Sequence, residues 1–282
     1  MTSTLVLGAV AYDAKVVPIW DGFRAWFRSH GLSFDYVLYS NYERQVEAHL
    51  AGHVDVAWNS PLAWVRARRL AEAADRRALA VAMRDTDHDL TSVVLTRSDS
   101  TITDVASLNG RRIATGAVDS PQATLIPLAH LRGLGVTAEI RRFEVGVGLH
   151  GDHIGGERDA VRALLAGEVD AACVIDGNHL AFGRDGTIPS GAVRVVTETP
   201  RYDHCVFTVF ERAVDPALLD RFRGLLLSMS YDDANVRPLL DLEGLKAWRP
   251  GRTDGFAQLE AAVDLLAFYD ASGQITAEGY LP

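Results

Sequence analysis

Short apolar runs alternate with longer amphipathic stretches along the chain. Each run is bounded by turn residues, as expected of a buried strand, and the stretches between them have helical spacing. The first five runs occupy residues 5–11, 34–39, 54–58, 78–83 and 92–96. The clearest helices between them are 16–29, 42–51 and 61–74, and the alternation resumes at residue 112. The pattern predicts mostly parallel sheets with helices on both faces.

One sequence phrase occurs twice. Residues 46–57 (VEAHLAGHVDVA) and 161–172 (VRALLAGEVDAA) are identical at eight of twelve positions. Apolar residues four apart form one face of a helix, and Gly52 and Gly167 follow it where a left-handed residue is favoured. A valine then enters a buried strand. The duplication predicts two similar α/β lobes.

Composition and charge narrow the possible partners. The chain has 282 residues and a net charge of -9, which argues against a nucleic-acid partner because phosphates require a basic face. Apolar runs are too short for membrane insertion. Two cysteines form no disulfide framework. The N-terminus has no secretory pattern, so we expect a cytoplasmic protein, or a periplasmic or cell-surface one if a signal was removed. No cofactor is indicated.

Three stretches, two of which overlap the repeated phrase, carry a family resemblance. They are AGHVDVAWNSPLAW at 51–64, SLNGRRIA at 107–114, and ERDAVRALLAGEVDAACVID at 157–176. Together they resemble the phosphate/phosphite/phosphonate-binding proteins of ABC importers (PhnD-like), in which a DLxGxxxA motif opens the second lobe. The resemblance implies the type 2 periplasmic-binding fold, in which two similar α/β lobes enclose a ligand cleft.

The resemblance also implies how the chain is divided. Two crossover segments would join the lobes, near 90–97 and 200–210. The first lobe would comprise residues 1–92 plus 205–282, including a helical C-terminal tail, and the second lobe residues 93–204. A small polar metabolite would bind in the cleft, and an ABC permease would be a further partner if the protein is exported.

Ligands of open α/β sheets bind beyond the carboxyl ends of the strands. The turns WNSP (58–61) and DSPQ (119–122) both end a strand and begin a helix with a serine N-cap and a proline at the first position. Two such helix N-termini would form an anion cradle. Asp119 does not fit an anion site, because its negative charge would repel an anion. Gln122 would instead suit a neutral or mixed-charge ligand.

Aromatic walls and further polar groups complete the predicted cleft. Aromatic residues follow or end the first three strands, and polar side chains follow the strand of the second repeat. In the resembled family a histidine precedes the second-lobe helix. The predicted ligand contacts are Tyr12, Tyr42, Trp58, Asn59, Ser60, Asp119, Ser120, Gln122, His153, Asp176, Asn178 and His204. Strand alternation predicts that His204 and Cys205 face opposite ways, so a Cys–His pair is not expected.

The glycine-rich stretch GVGLHGDHIGGERD supports an alternative. It brings His150, Asp152, His153 and Glu157 close together in sequence, and imidazole near carboxylate is typical of general acid–base catalysis. A metal site is a further possibility, although the spacing matches no strong metal signature. The chain is therefore predicted to be a solute-binding protein, with a cytoplasmic lyase or synthase on the same fold as the alternative.

Overall fold

The strands of the described residues form two separate sheets. The computed structural model describes residues 4–144 and 154–282. The first sheet contains β1 (Leu5–Val10), β2 (Phe34–Tyr39), β3 (Val56–Asn59), β4 (Ala78–Arg84), β10 (Val206–Phe210) and β11 (Trp248–Pro250), in the order β11–β4–β10–β3–β1–β2. The second contains β5 (Ser92–Arg97), β6 (Arg112–Thr115), β7 (Glu139–Arg142), β8 (Ala171–Ile175) and β9 (Val193–Glu198), in the order β7–β6–β8–β5–β9.

Helices cover both sheets. With the first sheet lie α1 (Val16–Ser29), α2 (Tyr42–Leu50), α3 (Pro61–Ala73), α7 (Pro216–Ser228), α8 (Arg237–Glu243) and α9 (Ala257–Leu265). With the second lie α4 (Ile126–Gly133), α5 (Ile154–Leu165) and α6 (Asp176–Arg184), and a π-helical turn at Pro121–Leu125 leads into α4. The sequence pattern did not predict α6 or β11, and it indicated α8 only as part of a mostly helical tail.

Both sheets are mixed, which the prediction of mostly parallel sheets missed. β10 lies antiparallel between β3 and β4, and β5 lies antiparallel between β8 and β9. Each of these strands is the first that the chain forms after crossing between the sheets. Because it enters from the cleft, it begins at the edge where its neighbours end, and so runs opposite to them.

The chain changes sheet between β4 and β5 and between β9 and β10, that is, in residues 85–91 and 199–205. The predicted crossover at 90–97 therefore begins too late, because residues 92–97 are strand β5, and the one at 200–210 ends too late, because residues 206–210 are strand β10. The two segments pair through an isolated bridge between Leu90 and Tyr202. Asp203 accepts hydrogen bonds from Arg252, and Gly255 lies against the Asp203 side chain.

The repeated phrase has the same structural role in both lobes. Gly52 and Gly167 adopt φ of 79° and 77°, so each ends its helix in the left-handed conformation. The repeated aspartates each bond a neighbouring strand: Asp55 accepts from the Val6 N–H at 2.8 Å and Asp170 from the Arg112 N–H at 2.9 Å. The duplicated sequence therefore specifies a duplicated helix–strand joint.

The C-terminal tail after α9 packs between the lobes. One apolar cluster combines Leu62 and Trp64 of α3 with Leu125 of the π-helical turn and with Phe268 and Tyr280 of the tail. Burial of these side chains removes apolar surface from water on both lobes at once. The tail thus forms one side of the space between the lobes.

We expect Asp55→Ala to lower the free energy of unfolding by about 1–2 kcal/mol, because the Val6 N–H loses its carboxylate acceptor. Asp170→Ala should cost less, since its bond to Arg112 is more exposed. Urea denaturation measures both. Asp55→Asn and Asp170→Asn keep an acceptor oxygen and serve as controls. A loss in the Asn variants as large as in the Ala variants would contradict this role.

Candidate functional site

The carboxyl ends of the parallel strands from both sheets point into the space between the lobes. From the first sheet, the chain after β1, β2, β3 and β4 lies at this edge, together with the start of β10. From the second, the chain after β6 and β8 lies there with the start of β5. This is the position at which open α/β sheets bind ligands.

A small cavity lies at this junction and is lined by both lobes. Tyr42 and Ser60 come from the first lobe, at the starts of α2 and α3, and Asp119 comes from the turn after β6 in the second. The remaining lining residues are Glu43, Leu62, Ala63, Tyr269 and Tyr280. Three of the residues predicted from sequence therefore meet in one cavity.

The local sequence explains why these groups face the cavity. Asn41 caps α2 by accepting from the Arg44 N–H, and Ser60 caps α3 by accepting from the Ala63 N–H at 3.2 Å. Ser120 caps the π-helical turn in the same way through the Ala123 N–H. Its side chain is fully buried, so the cap accounts for its position. The two turns repeat one chemical arrangement on opposite lobes.

Glu43 is a buried carboxylate that the sequence analysis missed. Its Oε1 accepts from the Tyr280 hydroxyl at 2.7 Å and from the Tyr269 hydroxyl at 3.2 Å. Burial, reinforced by the charge of Glu43, raises the pKa of both tyrosines, so they remain protonated donors. The tail is thereby bonded to the first turn of α2 inside the cavity.

Arg84 organises the first lobe at the end of β4. Its guanidinium donates to both carboxylate oxygens of Asp87, at 2.6 and 2.8 Å, and lies over the ring of Trp58. It also lies 3.4 Å from Glu243, whose pKa burial raises to about 7. Burial raises the pKa of Tyr42 well above its usual value, so its phenol stays neutral.

The second lobe supplies a connected set of buried polar groups. Gln122 Nε2 donates to Glu157 Oε1 at 3.2 Å, and the Ile175 N–H donates to Glu157 Oε2 at 2.9 Å. Ser92 donates to the Gln122 carbonyl and bonds the Tyr202 hydroxyl. Through these bonds Glu157 links α5 to β8 and to the π-helical turn. Its side chain is fully buried and is not an exposed acid.

Other predicted residues lie at the same edge with mainly structural contacts. Asn59 is buried and bonds Gln45 and Thr208 inside the first lobe. Trp58 packs against Phe207 with ring centroids 4.6 Å apart. Asp176 accepts from Thr91 on the first crossover.

Three more of the predicted contacts, Tyr12, Asn178 and His204, are partly buried. Lys15 Nζ lies 5.5 Å from the ring centre of Tyr12, and Asn178 lies in the first turn of α6. His150, Asp152 and His153 lie outside the described residues, so the predicted ligand contact of His153 and the acid–base roles of all three stay predictions.

The expected separation of His204 and Cys205 is wrong. His204 Nδ1 lies 3.1 Å from Cys205 Sγ. Strand alternation does not apply here because β10 begins only at Val206. Asp87 on the other crossover lies beside them, with Oδ1 3.6 Å from the same nitrogen.

Two α/β lobes that enclose a polar cavity at their strand ends define a two-lobed solute-binding protein. The model of the family described as "ABC transporter, phosphonate, periplasmic substrate-binding protein" matches residues 10–261. The chain therefore belongs to this phosphonate-binding family. No curated protein matches the chain.

Solved structures share the fold at low sequence identity. PhnD1 from Prochlorococcus marinus, in complex with methylphosphonate, is 16% identical with a TM-score of 0.68, over 95% of this chain and 99% of that one. XAC2383 from Xanthomonas citri, bound to chloride or to ATP, is 18% identical with a TM-score of 0.69, over 93% and 98%. The periplasmic aliphatic sulphonate-binding protein SsuA from Escherichia coli is 18% identical with a TM-score of 0.57, over 95% and 92%.

The family match concerns the predicted cytoplasmic location of the protein. Its description is of periplasmic proteins, so it does not support the expectation of a cytoplasmic protein. Among the described residues, no helix combines the length and the apolar character that a membrane span requires.

We expect Tyr280→Phe to lower the free energy of unfolding by about 1–3 kcal/mol, because the buried Glu43 carboxylate loses its shorter hydrogen bond. Tyr231→Phe is the matched control, since its hydroxyl bonds the exposed Asp241, and it should cost less than about 1 kcal/mol. Equal losses in the two variants, measured by urea denaturation, would contradict a stabilising role of the Glu43–Tyr280 bond.

Proposed function

We propose that this chain is the solute-binding component of an ABC importer and holds a small polar or anionic organic solute between its lobes. The observation that carries the proposal is that Tyr42 and Ser60 from one lobe and Asp119 from the other line one cavity; it has room for about one water molecule here, so the lobes must separate to admit a solute. A ligand bound there contacts both lobes, so its binding energy favours their closed arrangement. Organophosphonates are the first class to test, given the family.

The chemistry of the cavity limits the solute. Ser60, which lines the cavity, caps the start of α3, and the backbone N–H groups of a helix start favour an anionic group. Glu43 and Asp119 also line the cavity and repel a bare anion. We infer that the solute combines an anionic group with neutral or cationic groups that the carboxylates can bind. Gln122 and His204 are candidates for further contacts.

The partner that fits this function is an ABC permease, which would receive the solute from the closed protein. This partnership, and a periplasmic or cell-surface location, follow from the family and form part of the proposal. We also propose that the lobes divide within the two crossovers, residues 85–91 and 199–205, close to the limits predicted from sequence.

The first test is isothermal titration calorimetry with methylphosphonate, an aminoalkylphosphonate, inorganic phosphate and an alkanesulfonate. We expect at least one organic anion to bind. Asp119→Asn should strengthen binding of a simple anion by removing like charge, or weaken binding of a ligand whose cationic group lies there, by about tenfold in either case. Ser228→Ala, on the exposed end of α7, is the control and should leave the affinity unchanged.

Two outcomes would contradict the proposal. If none of the four compounds binds, the assignment to organic anions is wrong. If one binds but Asp119→Asn and Ser60→Ala both leave its affinity unchanged, the ligand does not occupy this cavity. Mass spectrometry of the recovered ligand distinguishes a binding protein from an enzyme, because a binding protein returns the compound unchanged and an enzyme converts it.

A further inference from the structure

Three metal-ligating side chains meet where the two crossovers run side by side. Asp87 lies on the first crossover, and His204 and Cys205 lie at the end of the second. One donor atom from each lies within 4.8 Å of the donors of the other two. His204 Nδ1 lies 3.1 Å from Cys205 Sγ and 3.6 Å from Asp87 Oδ1. Asp87 is distant in sequence from His204 and Cys205, so only the fold brings all three together.

The spacing matches a tetrahedral metal site. Zinc binds sulfur at about 2.3 Å and nitrogen or oxygen at about 2.0–2.2 Å, which places its ligand atoms roughly 3.3–3.6 Å apart. The 3.6 Å from His204 Nδ1 to Asp87 Oδ1 falls within this range, and the 3.1 Å from His204 Nδ1 to Cys205 Sγ is slightly shorter. A thiolate, an imidazole and a carboxylate are together typical of zinc among the common divalent ions.

Neighbouring groups hold these ligands in position. The His204 N–H donates to the Asp87 carbonyl at 2.8 Å, which fixes the two crossovers relative to each other. Arg84 donates to both carboxylate oxygens of Asp87, and each oxygen keeps a second lone pair for a metal. Outer contacts of this kind orient metal ligands.

Burial leaves one side of the cluster accessible. Asp87 is 1% exposed and Cys205 is 7% exposed, whereas the His204 side chain is 19% exposed. A metal ion held by the three side chains would have a fourth tetrahedral position for water or another oxygen ligand. Sites with three protein ligands commonly keep such a position.

Two carboxylates, those of Asp87 and Glu243, lie beside the guanidinium of Arg84 at this cluster. Metal binding would displace the proton of the Cys205 thiol: the S–H bond breaks, an S–metal bond forms, and one H⁺ passes to solvent without any redox change.

We propose that Asp87, His204 and Cys205 bind a divalent transition-metal ion, with zinc the best match. None of its ligands is among the residues that line the cavity, so the test below uses no solute and does not depend on which solute binds. Its chemical test uses Co²⁺ as a spectroscopic substitute for zinc, since cobalt bound to a thiolate gives a sulfur-to-metal absorption band.

The experiment titrates Co²⁺ into untagged, chelator-treated, reduced full-length protein. We expect the sulfur-to-cobalt band to appear at one equivalent and to disappear when Zn²⁺ displaces the cobalt. Cys205→Ser should abolish the band and lower the affinity for zinc by more than the roughly 10–100-fold that loss of an outer contact costs. Cys173→Ser removes the other buried cysteine, which lies in the second lobe, and should leave band and affinity unchanged.

Absence of the band in the unmodified protein, or its persistence in Cys205→Ser, would overturn the proposal. Loss of the band in Cys173→Ser with Cys205 intact would overturn it as well. If Cys205→Ser does not fold, judged by circular dichroism, His204→Gln decides the question: it should keep the thiol but lower cobalt affinity at least tenfold. Unchanged affinity in His204→Gln would exclude this ligand set.

Discussion

The pairing of the two crossovers determines where every other part of the site lies. Leu90 and Tyr202 exchange backbone hydrogen bonds of 2.9 and 2.8 Å, so the segments that join the lobes form a short two-stranded connection. Next to it, the buried Asp203 carboxylate accepts from Arg252, which also bonds Asp89 on the other segment. One guanidinium thus links both crossovers. Gly255 lies so close to Asp203 that a side chain there would displace this pair.

This connection determines which edges of the two sheets face each other. The strands that enter each sheet from a crossover begin at the cleft, and the parallel strands beside them end there. Caps, aromatic rings and carboxylates from distant parts of the sequence therefore meet at one edge. The tail adds a further contact between the lobes through Phe268 and Tyr280. We expect lobe motion to occur at the crossovers, with rearrangement of the tail contacts.

Much of this arrangement could be predicted from the sequence because it depends on local patterns. The repeated Gly ends a helix in the left-handed conformation in both lobes, and the repeated Asp accepts a backbone N–H bond in both. Ser60-Pro61 and Ser120-Pro121 mark helix starts directly. Glu43 could not be predicted, because its partners Tyr269 and Tyr280 lie more than two hundred residues away on a tail without a distinctive motif. The contact between His204 and Cys205 was missed because strand alternation was applied one residue before the strand begins.

The central claim is that the lobes close around a solute at the crossovers. Its most direct test is a spin-label distance measurement between Glu72→Cys on the first lobe and Arg162→Cys on the second, since the native cysteines are buried. A Glu72→Cys and Arg223→Cys pair within the first lobe is the control. With the compound that binds in calorimetry, the account predicts a shorter and narrower distance distribution between the lobes and no change within one. An interlobe distribution unchanged by a saturating ligand would contradict it.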